Sequence, residues 1–173
     1  MMKKCCIALM LLGVGTLSYA SDDGLGTVNI TGFIHDNTCT VSTTDLQITL
    51  GNASDKQLEP AGKSANRVKF TLGLKDCGSA ASNVAVTFVG TAAAPGSPLI
   101  ALDNPPGAAT GLGIALLDDQ KNPLPVNSSS RNYPLTPSAT TASLDFYAQY
   151  TSFTDSVTAG PASASVTFNL TYQ

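Results

Sequence analysis

Residues 163–173, SASVTFNLTYQ, constrain the fold more than any other stretch of the 173-residue chain. Val166, Phe168, Leu170 and Tyr172 alternate with Ser165, Thr167, Asn169 and Thr171. A period of two belongs to a β-strand with one apolar and one polar face. Terminal residues are ordinarily frayed and tolerant of loss. Here the apolar face runs to the penultimate residue, so the strand needs a cover, from its own chain or from another.

The same alternation recurs at 27–34 (TVNITGFI), 39–50, 66–77, 82–90, 110–118 and 142–152. In 66–77 it places Val68, Phe70, Leu72 and Leu74 on one face. Pieces rich in Gly, Pro, Asn and Ser separate these runs, as turns do. No stretch of a dozen residues shows a capped apolar period of 3.6, so the expectation is all-β with sandwich-like strand spacing. The Ala/Gly/Pro-rich run at 91–98 reads as a flexible loop, and no repeat or composition break marks a second folded domain.

Lys3 and Lys4 precede the apolar run CCIALMLLGVGTL, and Ser18 and Ala20 follow it. That order predicts a secretory leader over 1–20, cleaved between Ala20 and Ser21. The run is too short to span a bilayer, and Cys5 and Cys6 precede it instead of ending it, so no direct membrane anchor is expected. The remainder has the size of one domain. The chain carries nine Lys+Arg against twelve Asp+Glu, formally −3, and loss of Lys3 and Lys4 makes it more acidic. Nucleic-acid binding needs a basic footprint, so it is not expected. Cys39 and Cys77 remain after the leader, and in an exported chain such a pair predicts a disulfide. Two thiols and one histidine leave too few ligands for a structural zinc site.

Candidate catalytic groups are sparse. His35, the only histidine, stands at the end of an alternating run beside Asp36 and reads as an exposed strand-end residue. Asp118 and Asp119 are adjacent, and successive side chains on extended backbone point apart, which disfavours a carboxylate dyad. The Gly-Leu-Gly at 111–113 lacks the third glycine and the helix of a dinucleotide loop; it reads as a strand with close backbone approach or a bulge. Lys63, Arg67, Lys69 and Lys75 read as one strand's solvent face and its entry loop. Neither enzyme activity, a cofactor nor a metal is expected.

From Cys39 onward six strands can be drawn, whereas a closed immunoglobulin-type sandwich has seven; Trp, usually packed on that fold's disulfide, is absent. The remaining candidate lies before the cysteine, with Val28, Ile30, Gly32 and Ile34 on one face. Only Asp36, Asn37 and Thr38 separate it from Cys39, and His-Asp-Asn-Thr is a poor hairpin turn. The segment either forms a hairpin with its neighbour or supplies a strand to another molecule. In the second case the C-terminal strand borders an open apolar groove, an aggregation hazard until another chain fills it. Val28, Ile30 and Ile34 would each contribute roughly 1.5–3 kcal/mol on full burial, with Gly32 where the groove is shallow.

Taken together, the extension containing Gly32, the pair Cys39 and Cys77, Gly160 fourteenth from the C-terminus and penultimate Tyr172 resemble the pilin subunits of chaperone–usher fimbriae. GFIHDNTC, LIALDNPPGAATGLGIALLDDQ, LDFYAQYTS and VTAG resemble the minor, adaptor subunits of type 1 fimbriae. The resemblance implies an incomplete immunoglobulin-like sandwich of about six strands that lacks its last strand and is completed by donor-strand complementation. It implies a donor extension over 21–36 and a pilin domain over 37–173. A periplasmic chaperone would lend a strand to the groove bordered by Gly160, Val166, Phe168, Leu170 and Tyr172 and hold the carboxylate of Gln173. At an outer-membrane usher, neighbouring subunits on both sides would replace it, giving a surface fimbria that supports cell adhesion. The alternatives are a major shaft subunit, a carbohydrate-binding tip adhesin, against which length and the lack of Trp speak, and a self-sufficient secreted β-sandwich.

Overall fold

The computed structural model describes residues 30–103 and 105–173. The expected leader, with Ala20 and Ser21, and donor residue Val28 lie outside the described residues. The chain divides into an N-terminal unit, Met1–Phe33, and a body, Ile34–Gln173. Within the first unit, Ile30 and Phe33 are 91% and 93% exposed.

The body is built from antiparallel strands. In chain order they are β1 (Thr40–Val41), β2 (Val68–Lys75), β3 (Asn83–Val89), β4 (Leu112–Leu117), β5 (Pro123–Leu124), β6 (Tyr133–Pro134), β7 (Thr141–Ser152) and β8 (Thr167–Tyr172). One sheet has the order β1-β2-β7-β4-β5 and the other β6-β3-β8. Alternation decides which side chains enter the space between them. Phe70, Leu72 and Leu74 of β2 and Leu144, Phe146 and Ala148 of β7 are buried from one sheet, Val84, Val86 and Phe88 of β3 from the other. Phe146, fully buried, stacks on Phe70 at 5.7 Å and meets Phe88 and Tyr133 edge-on at 5.2 and 5.6 Å. Such ring pairs add about 0.5–1.5 kcal/mol each beyond their buried area.

Several expected boundaries change. The alternating run 39–50 forms a strand only at β1, because its ladder with β2 ends where the Ser42 amide donates to Gly73 O (2.8 Å). Leu46 and Leu50 still pack on the core. The described part of the run 27–34 is not a strand, since no strand among the described residues pairs with it, and Ile34 is fully exposed. The linker between β4 and β7, read as turn-rich, contains β5 and β6. The 51–66 loop contains one helical turn, α1 (Asp55–Leu58), whose Gln57 amide is capped by Ser54 Oγ.

Residues 91–98, expected to be flexible, fold into a small hairpin: the Ala93 amide donates to Leu99 O (2.9 Å) and the Ala101 amide to Thr91 O (2.8 Å). Ile100 exchanges two backbone hydrogen bonds with Ile114 of β4 (2.8 and 3.0 Å). The close approach uses Gly113, where a Cβ would stand 2.7 Å from Ile100 O.

Cys39 and Cys77 are joined, with Cα atoms 4.0 Å apart. The bond ties the start of β1 to the residue after Asp76, beyond β2. Around it the Ala80 amide donates to Asp36 O (2.9 Å) and the Gly78 amide to Thr38 O (2.8 Å), so this end of the body is closed.

The cross-link closes a loop of sequence separation 38, for which chain entropy gives about 4 kcal/mol. Replacing both Cys39 and Cys77 by alanine is expected to lower the thermal midpoint by roughly 8–16 °C, read by circular dichroism on protein in an identical assembly state. An unchanged midpoint would show that the cross-link does not constrain the unfolded chain.

Candidate functional site

The two sheets do not close on each other along one side. β1 ends one sheet and β8 ends the other. Between them runs a groove of about 800 Å³. Its floor is apolar, with Phe70, Leu72, Phe88, Leu116 and Ala148; residues 44–51 form one wall and 162–168 the other. Asp45 is the one charged residue in the lining, so the groove suits an apolar occupant more than an ionic one.

β8 carries the evidence of incompleteness. It pairs with β3 through a full register from Val84 with Tyr172 to Val89 with Thr167. Its other edge faces no strand among the described residues. Phe168, Leu170 and Tyr172 are only half-buried and Val166 is 36% exposed. On the neighbouring strand, Val84, Val86 and Phe88 are 0, 0 and 3% exposed. Two adjacent strands with equally apolar faces therefore differ in cover because the groove lies beside one of them.

The site residues read from the sequence fall in three places. Val166 and Phe168 line the groove. Leu170 and Tyr172 lie beyond it, where Tyr172 Oη donates to Cys39 O (3.0 Å) and ties the two sheet edges together. Gln173 is held there too: its amide donates to Asn83 O (3.0 Å), Ser82 Oγ donates to its backbone oxygen (2.6 Å) and Asn132 Nδ2 to its Oε1 (2.8 Å). Gly160 lines an adjoining depression of about 380 Å³. A Cβ there would collide with Gly107 O and stand 2.6 Å from Ala109 N. Of the donor residues, Ile30 and Ile34 are exposed and nothing lies within 4 Å of a Cβ on Gly32.

The groove also uses residues that the sequence reading passed over. Leu46, Ile48 and Leu50 keep a period of two along one wall although that segment has no ladder; the alternation in DLQITL was the signal. Tyr150 stands where the two depressions meet. Its hydroxyl donates to Ala162 O (2.8 Å), and burial pushes its pKa above the usual tyrosine value.

The charged residues considered for chemistry are engaged elsewhere. Asp118 accepts from the Asn122 amide (2.7 Å) and Nδ2 (3.1 Å) within a turn, and Asp119 pairs with Arg131 at 2.7 Å. Lys69 reaches Asp145 at 2.8 Å on the outer face of β2 and β7. Hydrogen bonds from Lys69 and then Thr71 hold the Asp145 carboxyl below its ordinary value. His35 is exposed.

Comparison with known proteins follows this geometry. A family profile for fimbrial proteins matches residues 28–173. The chain is 37% identical over 176 residues to the uncharacterized fimbrial-like protein YcbV of Escherichia coli (strain K12), covering 99% of each chain. It is 32% identical to the long polar fimbria protein A of Salmonella typhimurium, covering 100% of this chain and 98% of that one. Among solved structures, the P pilus rod subunit PapA superposes with a TM-score of 0.65 at 26% identity, covering 78% of this chain and 99% of that one. A chain from a chaperone–usher pilus gives 0.65 at 25% identity, covering 87% and 97%. The profile spans the groove, the cross-link and the open edge alike, and the chain belongs to the fimbrial protein family, as a chaperone–usher pilus subunit with an incomplete immunoglobulin-like sandwich.

Proposed function

We propose that this chain is a non-catalytic link in a surface fimbria that polymerises by donor-strand exchange, in the position of a minor adaptor. The observation that carries the reading is the pairing of an open apolar groove beside β8 with an exposed alternating segment, Ile30 to Ile34, in the same chain. Each alone is a liability in water; placed in another subunit's groove, the segment would bury its apolar face and satisfy an open sheet edge.

A periplasmic chaperone first supplies the strand, and the carboxylate of Gln173 is its anchoring point. At the outer-membrane usher the extension of the next subunit takes its place, while residues 25–35 of this chain fill the groove of the subunit already in the fibre. The adaptor position rests on the resemblance of segments such as GFIHDNTC. A shaft position is the second reading, and it draws on the similarity to a probable major fimbrial subunit of Escherichia coli O157:H7 (33% identical) and to the P pilus rod subunit.

Appending a flexible linker and a copy of residues 22–36 after Gln173 of a 34–173 chain is expected to raise the thermal midpoint by roughly 10–20 °C, from burial of three apolar side chains. Equal midpoints with and without the appended strand would mean that the sandwich is already complete. Ile30→Asp places a charge where the neighbour's groove is apolar, and incorporation should be lost while the chaperone complex still forms. Recovery of this variant in sheared fibres at normal levels would count against the donor role. Quantitative mass spectrometry of the same fibres separates the two positions: an adaptor is present in a few copies per fibre, a shaft subunit as the bulk of the mass.

A further inference from the structure

Of the exposed large apolar side chains among the described residues, Ile30, Phe33 and Ile34 lie in or beside the extension, and Ile48 and Val166 line the groove. Phe153, just past β7, belongs to neither and is 38% exposed. Single exposed apolar residues are ordinary on a surface, but this one sits on a fixed turn. Its amide donates to Gly111 O (3.0 Å), and the Thr154 amide and hydroxyl donate to the same oxygen (3.3 and 3.2 Å). Next along, Asp155 Oδ1 accepts from the Ala61 amide (3.2 Å). Gly111 has φ +81°, and a Cβ there would collide with Thr154 Oγ1, so this seating requires glycine. An aromatic ring on a preorganised backbone loses little entropy when a partner covers it.

The place where the extension leaves the body points to the partner. Asp36 O accepts from the Ala80 amide (2.9 Å) and Thr38 O from the Gly78 amide (2.8 Å). Gly78 lies so close to Asp36 that a Cβ on it would collide with the Asp36 carbonyl and carboxylate oxygens. The chain is therefore clamped to the body from Asp36 onward, while the strand exchange proposed above puts residues up to His35 in a neighbour's groove. From Ile34 to Asp36 the backbone reaches at most about 7 Å, too little to hold two bodies apart. β7 runs from Thr141, opposite Lys75 at the disulfide end, to Ser152, opposite Leu112 at the far end. Phe153 thus stands at the end away from the extension. Contact between like ends would be isologous and stop at a pair, whereas an open fibre needs two different ends in contact.

We propose that the Phe153 turn is a docking point for the body of the next subunit in the fibre, whose disulfide end seats against it. The inference rests on strand exchange. It adds a contact outside the groove, in which a fixed aromatic ring anchors one body end-on to another. The reciprocal surface on this chain, toward the subunit before it, is the exposed backbone around Asp36, Ser79 and Ala80.

The test uses fibres that contain the full chain, with photoreactive p-benzoylphenylalanine in place of Phe153, Ser79 or Thr31, and maps the adducts by mass spectrometry after irradiation. The probe at Phe153 is expected to link to peptides flanking the disulfide of the following subunit. The probe at Ser79 is expected to link to the turn after the long central strand of the preceding one. The probe at Thr31, within the extension, reports strand exchange alone by linking to the preceding subunit's groove. Thr31 adducts without any from Phe153, or Phe153 adducts confined to outer sheet faces, would overturn the docking turn and leave strand exchange intact. Fibres that contain the chain but yield no Thr31 adducts would overturn strand exchange itself, and this inference with it.

Discussion

Along its outer edge β8 has no partner strand among the described residues and at Thr167 and Phe168 borders the groove, and the rest of the structure is arranged around that edge. An open edge templates pairing with any available strand, which is why most folds cover or shorten theirs. Here the edge is six residues long, uncharged from Thr167 to Tyr172, and backed by the same hydrophobic core that buries Val84, Val86 and Phe88 of β3. Half-burial of Phe168 and Leu170 is the direct consequence, since their outward flank has no neighbour. The feature that would destabilise a solitary domain is what a fibre-forming subunit requires.

The body holds together without that strand because its two ends are built differently. At one end the Cys39–Cys77 bond, the Tyr172 hydroxyl on Cys39 O and the bonds around Gln173 fasten the sheets to each other. In the middle, the ring cluster around Phe146 joins them through packing alone. Toward Ala162 the segment leading into β8 is held by the Tyr150 hydroxyl on Ala162 O and by the Asp103 amide on Ser163 O (2.7 Å). Register matters in such a groove because a slip of one residue would turn a strand's apolar set away from the core.

Much of this was legible in the chain. Alternation located β2, β3, β4, β7 and β8 to within a few residues, and the count of strands pointed to a missing partner. Where the reading departed from the structure, the cause was pairing. Residues 42–50 have the alternation of a strand but no ladder beyond Ser42, and 91–98 have the composition of a flexible loop but gain two backbone bonds and the pair from Ile100 to Ile114. The end of the ladder at Ser42 and the Ile100–Ile114 pair depend on residues elsewhere in the chain, and local composition carries no record of them.

By itself, the sequence determined which side chains face inward, that Cys39 and Cys77 would pair, and that residues 28–34 carry an apolar face in search of a cover. Those properties are local: the period of two is set by the backbone, and an isolated pair of cysteines in an exported chain has few other fates. Only the tertiary structure decided where the groove runs. Alternation treats Val166, Phe168, Leu170 and Tyr172 as equivalent, yet the first two line the groove while Tyr172 closes its end by bonding a carbonyl 133 residues away. The gap between two sheet edges is a distance between elements, fixed by how the core packs beneath them, and no single strand encodes it.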